Sequence, residues 1–228
     1  MHIPDGFLSG EVAAVTGVAA VGVVAYSLRR ANPELDERKV PLLGVTAAFI
    51  FAAQMLNFPV AGGTSGHVLG AALATLLLGP WLACLVMAVV LTAQAFLYAD
   101  GGITALGANV FNMGVVGALV VGALVLALRD VLPKRRPVFL GLVAAGAWLA
   151  VMAGAATTSF ELAISGTVPL GTVLPTMLGV HALIGIGEAV VTVAALSAVV
   201  ATRPDLVALD LTPAEVGAAR PAVEGALR

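Results

Sequence analysis

All eleven Lys and Arg residues of this 228-residue chain fall in three places: Arg29, Arg30, Arg38 and Lys39; Arg129, Lys134, Arg135 and Arg136; Arg203, Arg220 and Arg228. Between these places run long apolar stretches that hold almost no charge. The chain is 60% hydrophobic and 11% charged, where a soluble domain is nearer 45–50% and about 25%. In lipid only helices and closed barrels satisfy their own backbone groups. The stretches lack the alternation of a barrel strand. The sequence therefore describes an all-α polytopic membrane protein.

Seven spans are expected, roughly Phe7–Leu28, Val40–Leu56, His67–Leu78, Trp81–Ala99, Ala108–Leu128, Val138–Thr158 and Pro175–Ala201. The apolar run from His67 to Ala99 exceeds the ~20 residues that one crossing needs. Gly79-Pro80 near its middle is a turn signal that divides it. The first half is short for lipid and is expected to begin partly buried in protein. With the amino terminus outside, seven crossings put every Lys and Arg on the inner side, as the positive-inside bias requires. Residues 1–203 then form one membrane domain, and 204–228 a cytoplasmic tail in which Thr212-Pro213-Ala214-Glu215 starts a short helix. No Lys or Arg precedes the first span, so no cleavable signal is expected. Met1 is expected to be retained, because His2 is large.

The candidate chemistry lies at that amino terminus. The Met1 amine, the His2 backbone nitrogen and the His2 imidazole can close two fused rings around one cation. Three nitrogens then share a plane and a fourth place stays open, an arrangement suited to Ni(II) or Cu(II). The three histidines of the chain are His2, His67 and His181, and the topology brings all of them to the outer side. His67 is the favoured fourth ligand. The non-helical stretch from Asn57 to Gly66 would aim His67 at the terminus, and Gly62, Gly63 and Gly66 in it let the backbone approach a metal closely. Glu188 follows His181 by two helical turns on the same face, and an intramembrane carboxylate is a candidate for function as much as for structure. Asn57, Ser65, His181 and Glu188 form the candidate outer shell. Gln54, Gln94, Asn109 and Asn112 are expected to bond between helices. Cys84 is the only cysteine, so there is neither a disulfide framework nor a thiolate zinc site. The chain has no Gly-x-x-x-x-Gly-Lys phosphate loop and so cannot hydrolyse ATP by that route.

Five motifs carry a resemblance: MHIPDGFLSG at 1–10, GGTSGHVLG at 62–70, LLGPW at 77–81, ADGGITALGANVFNMG at 99–114 and HALIGIGE at 181–188. Together they resemble the membrane substrate-binding (S or M) component of nickel/cobalt energy-coupling-factor ABC transporters, the CbiM/NikM family. The resemblance implies seven membrane helices in a prokaryotic cell membrane and one Ni2+ or Co2+ ion, the transported ligand, in a square plane of nitrogens. Carried over by position, those nitrogens are the Met1 amine, the His2 amide and imidazole, and the His67 imidazole. It further implies no cofactor, a transmembrane coupling (T) subunit, two cytoplasmic ATPases and a small auxiliary membrane subunit as partners, and no nucleic acid. The alternative reading is a rhomboid-like intramembrane serine protease. Gly63-Thr64-Ser65-Gly66 fits its GxSG pattern, with Ser65 as nucleophile and His181 as base.

Overall fold

The structure, a computed structural model, describes residues 1–31, 39–60 and 64–209. Arg38, Gly62, Gly63, the helix start expected at Thr212, Arg220 and Arg228 lie outside the described residues.

Helix α1 (Gly10–Ala31) opens after Ser9, whose carbonyl accepts the Ala13 N–H at 2.9 Å. Glu11 in its first turn and Arg29 and Arg30 in its last complement the helix dipole. Helix α2 (Lys39–Gln54) follows, then strands β1 (Phe58–Val60) and β2 (Thr64–Gly66), a small antiparallel hairpin. Helix α3 (Ala71–Leu78) meets α4 (Pro80–Tyr98) at Gly79, whose φ of 82° only glycine adopts readily. Pro80 starts α4, where its missing N–H costs nothing. The expected turn at Gly79-Pro80 is therefore present. Helix α5 (Leu106–Asn109) runs through a π-helical segment, Val110–Val116, into α6 (Gly117–Leu128). Helices α7 (Arg136–Ile164) and α8 (Leu170–Thr202) complete the bundle, and a single 3-10 turn, Pro204–Leu206, ends it.

Among the described residues five helical stretches are long and apolar enough to cross a membrane: Gly10–Ala31, Pro80–Tyr98, Leu106–Leu128, Arg136–Ile164 and Leu170–Thr202. On α1 the residues turned outward are Val15, Val18 and Val21, each at least 69% exposed. This inversion of the soluble pattern is what a lipid-facing helix needs. The span expected over His67–Leu78 is helical only from Ala71 and is not among these long stretches. Residues 67–70 are not helical, because side chains from other helices take their backbone groups. The eight residues of α3 rise only about 12 Å, well short of the ~30 Å hydrocarbon core. All eight are buried, so α3 is a half-helix enclosed by its neighbours.

Two other boundaries shift. Helix α7 extends to Ile164, past the expected end at Thr158. Helix α8 starts at Leu170, so Pro175 lies inside it, in the second turn, where it cannot donate the i→i−4 bond to the Gly171 carbonyl.

Hydrogen bonds show which segments share an end of the bundle. At one end, Asn57 after α2 bonds Asp100 after α4, Asp5 before α1 bonds Thr104 before α5, and the Thr167 hydroxyl donates to the Phe7 carbonyl. The other end holds Gly79, the loop after Leu128 and residues 203–209, where Leu209 N–H donates to the Leu76 carbonyl at 3.1 Å. Every Lys and Arg of the described residues belongs to this second end.

Candidate metal centre

The chain begins in the protein interior. Met1, His2 and Ile3 are at most 3% exposed. Asn109 holds both polar groups of Ile3, accepting its N–H at 2.8 Å and donating to its carbonyl at 3.1 Å. Gly102 N–H donates to the same carbonyl at 2.8 Å. Asp5 Oδ1 accepts the Thr104 N–H at 2.7 Å and its hydroxyl at 2.5 Å. The Met1 side chain lies over Gly154 of α7, where an added Cβ would come within 3.2 Å of Met1 Sδ. At Gly101, with φ of +93°, a Cβ would come within 3.0 Å of both His2 Nδ1 and Asn109 Nδ2. Gly101 therefore lies against the ring edge that a terminal chelate would use.

His67 arrives from the opposite side, between β2 and α3. Its Nδ1 is 2.7 Å from the Val68 carbonyl. A carbonyl only accepts, so Nδ1 carries the proton and Nε2 keeps a lone pair. That Nε2 is 3.3 Å from the Met1 nitrogen, and the two imidazole rings stand 4.6 Å apart between centroids. His2 Nε2 is 3.7 Å from Asp100 Oδ2, which also accepts the Asn57 side-chain N–H at 3.1 Å. Burial pulls the Met1 amine down from 8.0 to about 4, against the attraction of Asp100. Burial, followed by the neighbouring terminal charge, pulls His2 from 6.5 to about 3. Asp100 is raised, chiefly by burial, with the amine and Asn57 opposing. At neutral pH the Met1 amine and the His2 ring are therefore uncharged, and each keeps a lone pair to offer. Such a set suits a late divalent transition metal, not a hard cation. Among the described residues no three His, Cys, Asp or Glu side chains gather as a metal site. The nitrogens that lie close together here are those of Met1, His2 and His67.

The outer-shell candidates separate. Asn57 is exposed and reaches His2 only through Asp100. Glu188 is buried and accepts the Leu69 and Gly70 N–H groups, at 2.6 and 2.8 Å. His181 is buried and its Nδ1 bonds the Met177 carbonyl of its own helix at 2.8 Å; its Nε2 has no hydrogen-bond partner among the described residues. Ser65 pairs through its backbone with Pro59, and its side chain lies outside the described residues.

The expected interhelical amides behave unequally. Gln54 donates to the Leu69 carbonyl at 2.6 Å. Asn112 donates to Thr158 at 3.1 Å and to Glu161 at 2.6 Å. Asn109 binds the amino-terminal arm rather than a helix, and the Gln94 side chain has no partner among the described residues. Sequence reasoning missed Glu161, because α7 was expected to end three residues before it. It also passed over Asp100 and Gly101 as loop residues, although a lone acidic residue beside two glycines, next to an apolar run, was an available signal.

Residues 2–206 match the family described as the cobalt uptake substrate-specific transmembrane region, CbiM. The fused nickel transport protein NikMN of Rhodobacter capsulatus is 37% identical over 228 residues, covering 94% of this chain and 66% of its own. Cobalt transport protein CbiM 1 of Pelobacter propionicus is 35% identical over 221 residues, covering 92% and 96%. The crystal structure of a truncated transition metal transporter superposes with a TM-score of 0.80 at 34% identity, over 88% of this chain and 99% of that one.

Proposed function

This chain belongs to the CbiM family of cobalt uptake substrate-specific transmembrane regions, whose members are metal transport proteins and not enzymes, and on that premise we propose that it captures one divalent nickel ion in a plane of four nitrogens. The ligands are the Met1 amine, the His2 backbone and imidazole nitrogens, and His67 Nε2. The observation that carries this reading is the 3.3 Å approach of Met1 N to His67 Nε2 between two residues with 0% and 1% exposure. Nickel is preferred over cobalt because four planar nitrogens suit a d⁸ ion. Relatives named for each metal occur. Asp100 lies 3.7 Å from His2 Nε2, and Asn57 holds Asp100 in place.

The site faces outward, since every described Lys and Arg gathers at the opposite end of the bundle. In this orientation the chain makes seven passes of the prokaryotic cell membrane, with α2 and the enclosed α3 completing the count, and residues 204–228 are cytoplasmic. A transmembrane coupling subunit, two ATPase subunits and a small auxiliary membrane subunit supply the energy and the release that this chain lacks.

The protease alternative is corrected. The family and the relatives it matches are metal transport proteins, so Ser65 and His181 are not a nucleophile and base. Equilibrium dialysis of the purified chain against Ni(II) tests the proposal. His67→Ala should abolish binding and Ser65→Ala should keep most of it; the opposite pattern would sink the metal reading.

A further inference from the structure

One peptide unit connects His67 to a carboxylate on another helix. The Val68 carbonyl accepts His67 Nδ1–H at 2.7 Å, and the Leu69 N–H of the same unit donates to Glu188 Oε2 at 2.6 Å. The next N–H, of Gly70, donates to Oε1 at 2.8 Å, and the Leu69 carbonyl accepts Gln54 Nε2–H at 2.6 Å. Glu188 comes from α8 and Gln54 from α2, and both are at most 2% exposed. The turn between admits no side chain, since Gly70 has φ of +80° and a Cβ there would press within 2.8 Å of Ile50.

An ordinary helix cap is the plainer explanation. A cap, however, takes an N–H of the first helical turn. Glu188 takes those of Leu69 and Gly70, which precede Ala71, the first residue of α3. It therefore holds the turn that carries His67. The peptide unit is planar and stiff, so fixing its N–H fixes the carbonyl that orients the ring. Hydrogen bonds in series also polarise one another at low dielectric. The carboxylate draws on Leu69 N–H, the Val68 oxygen becomes a stronger acceptor, and the pull on Nδ1–H makes Nε2 a better donor. Metal-bound histidines are commonly backed by a carboxylate in this way, in direct contact; here a peptide unit stands between.

We propose that Glu188 is a positioning residue for His67, acting across the Val68–Leu69 peptide unit, and that it strengthens the hold of the site on a divalent late-transition-metal ion. The proposal rests on the reading of His67 as a ligand.

The test uses the full chain with its own amino terminus, Ni(II) as probe, and competition against a chelator together with the visible absorption band. Glu188→Ala should weaken binding by about 10- to 100-fold and shift the band to longer wavelength, the sign of a weaker ligand field. Glu188→Gln keeps the size and one acceptor oxygen, so it should fall between, and it carries the test if the alanine variant does not fold. Trp148→Phe is the structural control. It removes the Trp148 Nε1–H bond to the Ala182 carbonyl, 3.0 Å long and also on α8, and should lower the melting temperature without changing affinity or band. Wild-type affinity and an unmoved band in the Glu188 variants would overturn the proposal, whatever their melting temperatures. If those variants bind normally while His67→Ala does not, only the role of Glu188 fails. If His67→Ala binds normally, the ligand reading fails and this proposal with it.

Discussion

The two halves of the candidate site are held in opposite ways. The arm at residues 1–5 is a chain end, fastened by a surface loop and one amide, and Asp5 and Thr104 at its outer edge are exposed. The turn at residues 67–70 is internal, fastened by Gln54 and Glu188 from two helices, both buried. The turn is preorganised by the bundle, whereas the arm must be ordered against its own conformational entropy at about 1–2 kcal/mol per residue. The difference explains why so many polar contacts converge on Ile3 and Asp5, which touch no ligand. It also locates the point of failure: the arm should loosen first.

The strongest blow to the arm is a fusion of several residues ahead of Met1. It turns the terminal amine into an amide and displaces a buried segment, and Ni(II) affinity should drop by at least about 100-fold on loss of one chelating nitrogen. Undiminished binding would mean that the arm gives no amine. A one-residue extension decides nothing, because an X-X-His start supplies four nitrogens by itself.

Acid comes next. The docked amine and His2 sit at about 4 and 3, below their free values of 8.0 and 6.5. The undocked arm therefore takes up protons that the docked arm refuses. Docking is fully favoured above about pH 8, and weakens as pH falls from 8 towards 4, first through the amine and then through His2. One proton changes the docking equilibrium constant by about tenfold per pH unit. Hydrogen-exchange protection factors of residues 1–5 in the metal-free chain, with the intrinsic pH dependence of exchange divided out, should fall accordingly between pH 8 and 6.5, while those of 67–70 change little. Equal responses in both segments would erase the contrast.

Asn109→Ala removes two buried hydrogen bonds to Ile3, each worth about 0.5–1.5 kcal/mol, and should weaken nickel binding by about tenfold or somewhat more. Asn109→Asp keeps the acceptor and should fall between. Gly101→Ala forces a side chain into a left-handed backbone at roughly 1–2 kcal/mol, for about a tenfold loss in the same dialysis assay. Asn57→Ala acts at an exposed residue one contact further out, so the expected loss is about threefold or less. A larger effect would move Asn57 inside the working site.

Much of this molecule is legible in its sequence. Charge placement marks off the apolar stretches that become the long helices, since lipid penalises a charge within a span so heavily. Gly79-Pro80 marks a turn because both residues act through local backbone chemistry. Met1, His2 and His67 stand out because polar nitrogen is rare in this chain. What stays hidden depends on distance along the chain. Nothing near Glu188 says that it reaches Leu69, 119 residues away, and nothing near Asn109 says that it holds Ile3, 106 residues away. The helix expected from His67 starts only at Ala71 for the same reason. The apolar pattern there is real, but Gln54 and Glu188 bind the backbone at Leu69 and Gly70 and hold it out of the helix. Glu161 escapes notice through a boundary error, because apolar character fades before α7 does.

The visible absorption spectrum of the purified chain with one equivalent of Ni(II), its own Met1 first, tests the central claim most directly. Four planar nitrogens should give the single strong band of square-planar nickel, and it should vanish both in His67→Ala and in the chain extended by several residues. Weak six-coordinate bands in the unmodified chain, or a planar band that survives the extension, would contradict a site built on the chain's own terminus.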